Sequence, residues 1–377
     1  MAKAPPTFSL KDQLFNAGSL GDLADEYAAA VPGFDRDAFH AEALSGVADR
    51  TLVACLDWFA DCLEPYLADD FPTMAAQLEA AMPPPLDPTL RDDDFGRFIH
   101  AVPGVLAARH GLDNHRERAL NLLHAATQRF SMEFYIRPFL NRWPEETLAR
   151  LRRWSEDDNY HVRRLVSEGT RPKLPWARKV DLTTEQTLPL LDALQADPTR
   201  FVTRSVANHL NDVAKAEPDA VLGRLAAWER DATQTAKERA WMRRHALRTL
   251  IKDGHPGAME MLGYAADLDI DTDLTIETAA VPLGNALRFA VTLSGPRGGP
   301  VIVDYRIRFA RPGGRSGDKV FKLKVAEVKP GVPLVLSKVH KLKANATTFE
   351  LHPGTHQLTV QVNGVDRAAG TFEIMAH

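Results

Sequence analysis

A segment that recurs three times at one spacing constrains the fold of this chain most. The copies are HVRRLVSEG from His161, FVTRSVANH from Phe201 and WMRRHALRT from Trp241, and they start 40 residues apart. A period of about 40 residues with helical patterning is typical of two-helix solenoids of the HEAT or armadillo type, in which each repeat completes the core of its neighbours. The sequence therefore predicts a stacked helical array in which equivalent positions share one face.

Alignment of the three copies separates an apolar side from a polar side. The apolar side consists of Val162, Leu165 and Val166, then Val202, Ser205 and Val206, then Met242, His245 and Ala246. The polar side carries Arg164, Arg204 and Arg244 at one repeated position, and steps of four residues extend it to Glu168, Asn208 and Arg248, then to Asp212 and Lys252. Because steps of four stay on one helical face, we expect a ridge of cations interrupted by two carboxylates.

This ridge has more than one interpretation. It is either a solvated solenoid face with ion pairs between repeats, or a nucleic-acid groove in which arginines follow the phosphates and carboxylates serve a cationic substrate. A third possibility is a scaffold that binds other proteins, which predicts an apolar concave stripe instead of an arginine track.

Size and charge limit the classes of function. A chain of 377 residues is long enough for two domains. With 46 Lys and Arg against 50 Asp and Glu, the formal net charge is −4, so any surface for a polyanion must be local. Cys55 and Cys62 are expected as core thiols in a reducing compartment. No zinc pattern, signal peptide or membrane span is evident, which predicts a cytosolic protein.

The chain is expected to be multidomain, α then β. Amphipathic helices are predicted between about Leu20 and Tyr264, including Glu117 to Phe139, with a long proline-rich connection that begins at Met82. After Asp267 the pattern changes to seven or eight short alternating strands, which predicts an antiparallel sandwich of the immunoglobulin type. The predicted domains are therefore residues 1–267 and 268–377.

Basic residues recur in the predicted strands. They are Arg306, Arg308, Lys319, Lys322 and Lys324. They fall largely at alternate positions, so several share one sheet face. If the ridge is a nucleic-acid groove, we expect a second nucleic-acid contact there. The alternative is a sheet edge that lysines protect against aggregation.

Three strings carry a resemblance to a known family: SMEFYIRPFL from Ser131, HVRRLVSEGTRPKLPWA from His161 and RSVANHLNDVAK from Arg204. They closely resemble the AlkC-type 3-methyladenine DNA glycosylases, a branch of the HEAT-like-repeat glycosylases. The C-terminal strings VIVDYRIRFA and PGTHQLTVQVNG resemble the form of this family that carries an immunoglobulin-like domain. The resemblance implies a base excision repair enzyme that removes bases such as 3-methyladenine from duplex DNA without flipping them and without a metal or cofactor. We expect a monomer.

The resemblance also implies site residues. It places catalytic carboxylates at Glu133, Glu168 and Asp212, and it places Trp176 beside the lesion. The repeat pattern independently puts Glu168 and Asp212 on the polar ridge. Glu133 has an alternative role as a helix carboxylate that pairs with Arg137 four residues later. Trp176 has an alternative role as a hydrophobic plug.

The chemistry of the expected substrate agrees with these residue types. An N3-alkylated adenine is already cationic, so the remaining need is to stabilise positive charge on the sugar, which nearby carboxylates do. The expected DNA contacts in the helical part are Arg164, Arg171, Arg204, Arg244, Arg248 and Lys252. The histidines His161, His209 and His245 are expected to be structural or to contact phosphates. A noncatalytic DNA-binding member of the family is the rival interpretation.

Overall fold

The computed structural model describes residues 9–92, 94–343 and 350–376. The chain divides into two compact units. The first runs to Val213 and includes Ala232–Ala246, whereas the second consists of Ala214–Asp231 and the residues from Leu247 onward. The last α-helix ends at Met261 and the first strand begins at Asp271. The domain boundary at residue 267 stays a prediction, because the division into units groups some late helices with the strands.

Sixteen α-helices precede the first strand in the described ranges. They are α1 (Leu10–Leu14), α2 (Ala17–Ala30), α3 (Arg36–Ser45), α4 (Leu52–Leu63), α5 (Phe71–Ala81), α6 (Val102–His110), α7 (Arg116–Thr127), α8 (Ile136–Arg142), α9 (Pro144–Trp154), α10 (Tyr160–Gly169), α11 (Thr184–Leu194), α12 (Arg200–Val213), α13 (Pro218–Asp231), α14 (Ala236–Ala246), α15 (Arg248–Lys252) and α16 (Pro256–Met261). Short 3₁₀ turns occupy Glu64–Tyr66, Phe98–Ala101 and Pro312–Gly314. Capping boxes at Asn16 and Thr183 begin α2 and α11 by satisfying N–H groups that have no partner inside the helix.

The three copies of the repeated segment form α10, α12 and α14. Helix α10 packs against α12, and α12 packs against α14, while α9 and α11 pack against α10. The equivalent apolar residues Val162, Val202 and Met242 are buried, as expected for the interface between neighbouring repeats. The predicted stacked helical array is confirmed.

Two predicted helices are interrupted. The prediction of one helix from Glu117 to Phe139 is wrong, because residues 128–135 separate α7 from α8. Pro138 contributes to this break, because a proline in a helix interior removes a backbone donor and its ring clashes with the carbonyl group four residues earlier. The prediction that Arg244 and Arg248 lie on one face of a single helix is also wrong, since α14 ends at Ala246 and α15 begins at Arg248.

The proline-rich connection that begins at Met82 is confirmed. Helix α5 ends at Ala81, and residues 82–92 and 94–97 contain no helix or strand. Prolines in this stretch remove backbone donors and restrict the residues before them.

Eight strands in the described residues form two sheets. They are β1 (Asp271–Ile276), β2 (Ala280–Pro282), β3 (Ala286–Ser294), β4 (Gly299–Ala310), β5 (Ser316–Val328), β6 (Leu334–Lys341), β7 (Gly354–Val362) and β8 (Val365–Met375). One sheet has the order β1-β3-β6 and the other the order β2-β8-β7-β4-β5. All the pairings are antiparallel except that of β2 with β8, which is parallel. The fold class predicted for this part is confirmed.

Alternation along the strands builds the core of the second unit. Leu287, Phe289 and Val291 of β3 are buried, as are Tyr305 and Ile307 of β4. Successive side chains of a strand point to opposite faces, so every second residue enters the core.

Two further features of the described residues are the state of the cysteines and the composition of the helices. Cys55 and Cys62 are free and buried on α4. In the part of the chain that the structure describes, no helix combines the length and the apolar composition that crossing a membrane requires.

Candidate active site

Three separate segments supply the predicted carboxylates. Glu133 lies in the break between α7 and α8, Glu168 lies near the end of α10, and Asp212 lies near the end of α12. Glu168 and Asp212 are only 4 % and 5 % exposed. The alternative of a solvated solenoid face is therefore wrong at these two positions. The packing of α10 against α12 instead buries both on neighbouring helices.

Arg171, which follows α10, joins these two carboxylates. Its Nη1 donates to Oε1 of Glu168 at 2.5 Å, its Nε donates to Oδ2 of Asp212 at 3.0 Å, and its Nη2 lies 2.9 Å from the same Oδ2. The Arg171 side chain is itself buried, and charges interact more strongly away from water. The shared guanidinium therefore fixes the relative position of the two acids.

Arg164 connects Glu168 to Glu133. Its Nη1 donates to Oε2 of Glu133 at 2.9 Å, and its Nη2 lies 3.7 Å from Oε2 of Glu168. The Ser131 hydroxyl donates to the same Oε2 of Glu133 at 2.8 Å. The alternative in which Glu133 pairs with Arg137 along one helix is wrong, because Glu133 lies outside α8.

Glu133, Arg164, Glu168, Arg171 and Asp212 thus form one chain of alternating charges, here called the carboxylate–arginine cluster. Counted formally, the cluster carries one more negative than positive charge. An excess negative charge in a partly dry setting attracts a cation and repels phosphate. The cluster is therefore suited to a positively charged group.

The cluster also controls ionisation. Burial opposes the negative charge of Glu168, but the guanidinium groups of Arg164 and Arg171 and the Ser205 hydroxyl outweigh burial and hold the pKa of Glu168 below its ordinary value. Burial likewise opposes the charges of Arg164 and Arg171, yet their carboxylate partners raise the pKa of both groups. Glu168 therefore stays ionised at neutral pH.

Two further residues of α12 support Glu168. Ser205 aligns with Leu165 of the preceding repeat, and its hydroxyl donates to Oε2 of Glu168 at 2.6 Å. His209 is fully buried, and its Nδ1 lies 3.1 Å from the carbonyl oxygen of Ser167. Burial lowers the pKa of His209 to about 4, so this residue is a neutral structural group and not a phosphate contact.

His161 and His245 complete the set of predicted histidines. Burial, assisted by Arg164, lowers the pKa of His161 to about 4. The His245 ring stacks on Trp241 with centroids 4.9 Å apart, and its Nε2 lies 2.9 Å from Oδ1 of Asn208. His161 is therefore neutral at physiological pH.

Trp176 lies outside the helices, between α10 and α11. Its indole is 68 % exposed and lines a cleft of about 390 Å³ together with Tyr135 and Arg178. The interpretation of Trp176 as a hydrophobic plug is wrong, since a plug would be buried. Its backbone φ is +61°, a left-handed conformation that is rare for a residue with a side chain and that marks local strain.

Arg137 anchors the segment that carries Trp176. This side chain is 1 % exposed. Its Nη1 donates to the carbonyl oxygens of Gly169 and Arg171 at 3.0 Å each, and its Nε donates to the carbonyl oxygen of Arg178. Burial lowers the pKa of Arg137 to about 10. The exposed Trp176 is thus held from both sides by one buried guanidinium.

The other predicted DNA contacts of the helical part differ in exposure. Arg204 pairs with Asp92 of the long connection. Arg244 on α14 is exposed, as are Arg248 and Lys252 on α15 of the second unit. The prediction that these residues and Arg164 and Arg171 bind DNA stays a prediction.

The cations of the second unit do not form a uniformly basic face. Arg308 donates to both oxygens of Asp318 at 2.9 Å, and Arg306 donates to Oδ2 of Asp366 at 2.6 Å. These carboxylates offset the positive charge, so the expectation of a cationic face is wrong to that extent.

The lysines of β5 lie on different faces. Lys319 is opposite the core residue Ile307 and therefore lies on the other face from the arginines, whereas Lys322 is opposite Asp304 on their face. Lys324 is exposed. A shared basic surface is therefore limited to part of the predicted set.

Sequence reasoning missed several contributors to the site. It assigned Arg171 to DNA and not to the two carboxylates, and it missed the supporting hydroxyls of Ser131 and Ser205. Ser205 had a detectable signal, because it is a polar residue at an apolar position of the repeat. The described residues contain no group of His, Cys, Asp and Glu side chains arranged to hold a metal ion.

Comparisons with known proteins agree with this architecture. The family model described as DNA alkylation repair enzyme matches residues 129–250, which include all three predicted carboxylates, and the model for the C-terminal Ig-like domain of uncharacterised protein YhaZ matches residues 271–376. Uncharacterised protein YhaZ of Bacillus subtilis (strain 168) is 33 % identical over 289 residues, which are 74 % of this chain and 79 % of that protein.

A solved structure is similar over almost the whole chain. It is the Pseudomonas fluorescens alkylpurine DNA glycosylase AlkC bound to DNA containing an abasic site analog, with a TM-score of 0.85 and 32 % sequence identity over 98 % of this chain and 100 % of that chain. Together with the repeat architecture and the strand domain, these similarities show that this chain belongs to the DNA alkylation repair enzyme family, in the AlkC-like form with a C-terminal immunoglobulin-like domain.

Proposed function

We propose that this protein is an alkylpurine DNA glycosylase that hydrolyses the N-glycosidic bond of cationic bases such as 3-methyladenine in duplex DNA. The observation that carries the proposal is the carboxylate–arginine cluster, in which the three predicted acids lie in one chain of ion pairs. Family membership and the similarity to AlkC, which was solved with DNA, support the same reaction.

Hydrolysis of the bond to a cationic base requires mainly negative charge near the sugar. The alkylated base is a good leaving group because it departs as a neutral purine. Positive charge then develops on the deoxyribose at C1′, where fixed carboxylates stabilise it. Water adds its hydroxyl to C1′, and its proton passes to solvent or to a carboxylate. No protonation of the leaving base is required.

We infer different roles for the three acids. Glu168 accepts hydrogen bonds from Arg171 and Ser205 and has a lowered pKa, so it is a weak base suited to electrostatic stabilisation. Asp212, which accepts from Arg171, and Glu133, which accepts from Arg164 and Ser131, are the remaining candidates to orient or deprotonate water. Because the guanidinium groups of Arg164 and Arg171 are paired with these acids, we infer that both are positioning residues and do not primarily bind phosphates.

Binding to duplex DNA would use the more exposed cations. Arg204, Arg244, Arg248 and Lys252 are candidates in the helices, and Lys322 is a candidate in the strand domain. Trp176 would contact the lesion or its sugar, because an exposed and anchored indole offers a large rigid surface. Excision without base flipping, as the family resemblance implies, requires this surface to reach the lesion within the duplex.

Charge-neutral replacements of the acids test the proposal. Glu168→Gln and Asp212→Asn should each slow release of 3-methyladenine from methylated duplex DNA by at least about tenfold under single-turnover conditions, or about 1.4 kcal/mol of transition-state stabilisation. Duplex affinity should stay the same or increase, because removal of a negative charge does not weaken attraction to phosphates.

Glu185→Gln is a matched control, since Glu185 is an exposed carboxylate on α11 outside the cluster. Its rate of release should equal that of the wild-type protein. Absence of base release by the wild-type protein would favour the noncatalytic DNA-binding interpretation. Normal turnover in both cluster variants would instead move the catalytic role to Glu133.

A further inference from the structure

A cavity of about 300 Å³ opens beside Glu133 in the first unit. Its apolar lining includes Phe95, Phe98, Phe130 and Phe201. The rings of Phe95 and Phe201 meet edge to face with centroids 5.1 Å apart, and those of Phe98 and Phe130 lie 4.7 Å apart. The volume is at the lower end of the range for small-molecule sites, about 300–1,000 Å³. These walls suit a small flat ring that stacks on aromatic side chains.

Polar groups are concentrated in the same cavity. Ser131, Glu133 and Arg164 line it, and Arg164 also lies over the Phe201 ring at 4.5 Å from the ring centroid. His161 lines the cavity as well and is 5 % exposed. Its Nε2 is buried and has no hydrogen-bond partner among the described residues. A buried ring nitrogen without a partner costs free energy unless a ligand or water satisfies it.

We propose that this cavity is a binding site for a purine base, with the ring packed against the phenylalanines and its polar edge bonded to Glu133, Ser131 or His161. The proposal rests on the proposed function, because a glycosylase generates such a base within reach of Glu133. It adds a site for the base to a cluster that acts on the sugar.

Charge and shape favour a purine over other small ligands. Glu133 is already neutralised by Arg164, so the cavity offers both a donor and an acceptor to a neutral ligand that has both. The released base is neutral and carries an amino donor and ring-nitrogen acceptors. A phosphate would have to compete with Glu133 for the Arg164 guanidinium and would meet phenylalanines over much of the remaining wall, which do not solvate it.

One wall of the cavity is accessible. Phe95 belongs to the long connection and is 51 % exposed. Its neighbour Gly96 has φ +66°, and a Cβ there would collide with the carbonyl oxygen of Arg129. Glycine is therefore required for the connection to approach the cavity this closely. Because Phe95 is exposed, replacing it should leave the fold intact.

The test uses the full-length protein, free 3-methyladenine and adenine, and two variants. In isothermal titration calorimetry, wild-type protein should bind both bases, and Phe95→Ala should weaken binding about tenfold, which is the usual scale for loss of one stacking side chain. Leu90→Ala is the matched control, because Leu90 is an exposed apolar residue on the same connection that does not line the cavity. Its affinity should be unchanged.

Single-turnover release from methylated duplex DNA tests whether the base that binds the cavity is the product of the reaction. Weaker free-base binding and weaker product inhibition in Phe95→Ala, with normal release, would place the released base in the cavity. Slower release in Phe95→Ala with no free-base binding by wild-type protein would overturn the purine site and would assign Phe95 to contact with the DNA.

Two further results would each contradict one of the two proposals and leave the other standing. If neither free-base binding nor release depends on Phe95, the purine site is overturned while the glycosylase proposal stands. If wild-type protein releases no base but binds free purines through Phe95, the glycosylase proposal fails while the purine site stands.

Discussion

Replacement of Arg171 with glutamine measures how far the carboxylate–arginine cluster stabilises the folded chain. The guanidinium contacts Glu168 at 2.5 Å and Asp212 at 2.9 Å, and all three side chains are buried. Removal of one partner from a buried ion pair costs about 3–5 kcal/mol, because it leaves an unpaired charge. Glu168 keeps Ser205 at 2.6 Å and Arg164 at 3.7 Å. We therefore expect the lower end of this range, about 3 kcal/mol.

Urea unfolding followed by far-ultraviolet circular dichroism is the assay. With an m-value of about 2–3 kcal/mol/M, the midpoint of Arg171→Gln should fall by about 1 M. The double variant Arg171→Gln/Asp212→Asn removes the unpaired charge as well, so its loss should be smaller than the sum of the single losses by at least about 1 kcal/mol. Arg153→Gln is the control, because Arg153 is exposed on α9 and should change stability by less than about 0.5 kcal/mol.

The reasoning is refuted if Arg171→Gln costs less than about 1 kcal/mol, which is the range of an exposed ion pair. It is also refuted if the two single losses add without coupling. Either result would mean that the two acids do not depend on Arg171 for their place in the folded chain.

Three further predictions follow from the structure. Because the pKa of Glu168 lies below its ordinary value, its ionised form stabilises the folded state above the pKa of the unfolded chain, and this contribution is lost as the pH falls through the folded-state pKa. The difference in urea midpoint between wild-type protein and Glu168→Gln should therefore change between about pH 6 and pH 3, with the wild-type protein losing more stability as the pH falls; a constant difference contradicts this. At Trp176, where φ is +61°, Trp176→Gly should be more stable than Trp176→Ala by about 1 kcal/mol, because glycine adopts this conformation without strain, and equal thermal midpoints would argue against strain. If Lys322 contacts a phosphate, Lys322→Ala should lower the slope of log affinity against log salt by about 0.9; an unchanged slope would leave Lys322 without a role in DNA binding.

Periodicity made the architecture predictable. A repeat of 40 residues and an apolar side at equivalent positions are properties of neighbouring residues along the chain, and helix geometry converts them directly into a shared face. Val162, Val202 and Met242 are buried for this reason. The change after Asp267 to a pattern of short strands with alternating side chains likewise predicted the strand domain. Both signals are local, so one sequence was sufficient to find them.

The environment of the acids was not predictable in the same way. The repeat pattern placed Glu168 and Asp212 on one polar ridge. It did not predict that both acids bond Arg171, because Arg171 lies beyond α10, where helical spacing no longer applies. Glu133 was placed within one continuous helix, whereas in the structure it lies in the break between α7 and α8. Its partner is therefore Arg164, which is 31 positions away in the chain, and not Arg137.

Tertiary packing decided which charges face water and which face one another. Arg164 occupies the same repeat position as Arg244, yet Arg164 shares its charge with Glu133 and Glu168 whereas Arg244 is exposed. Likewise, Phe95 from the long connection meets Phe201 of α12 to form a cavity wall. The strength of an ion pair depends on separation and on exclusion of water, and segments distant in the chain set both only when they pack together.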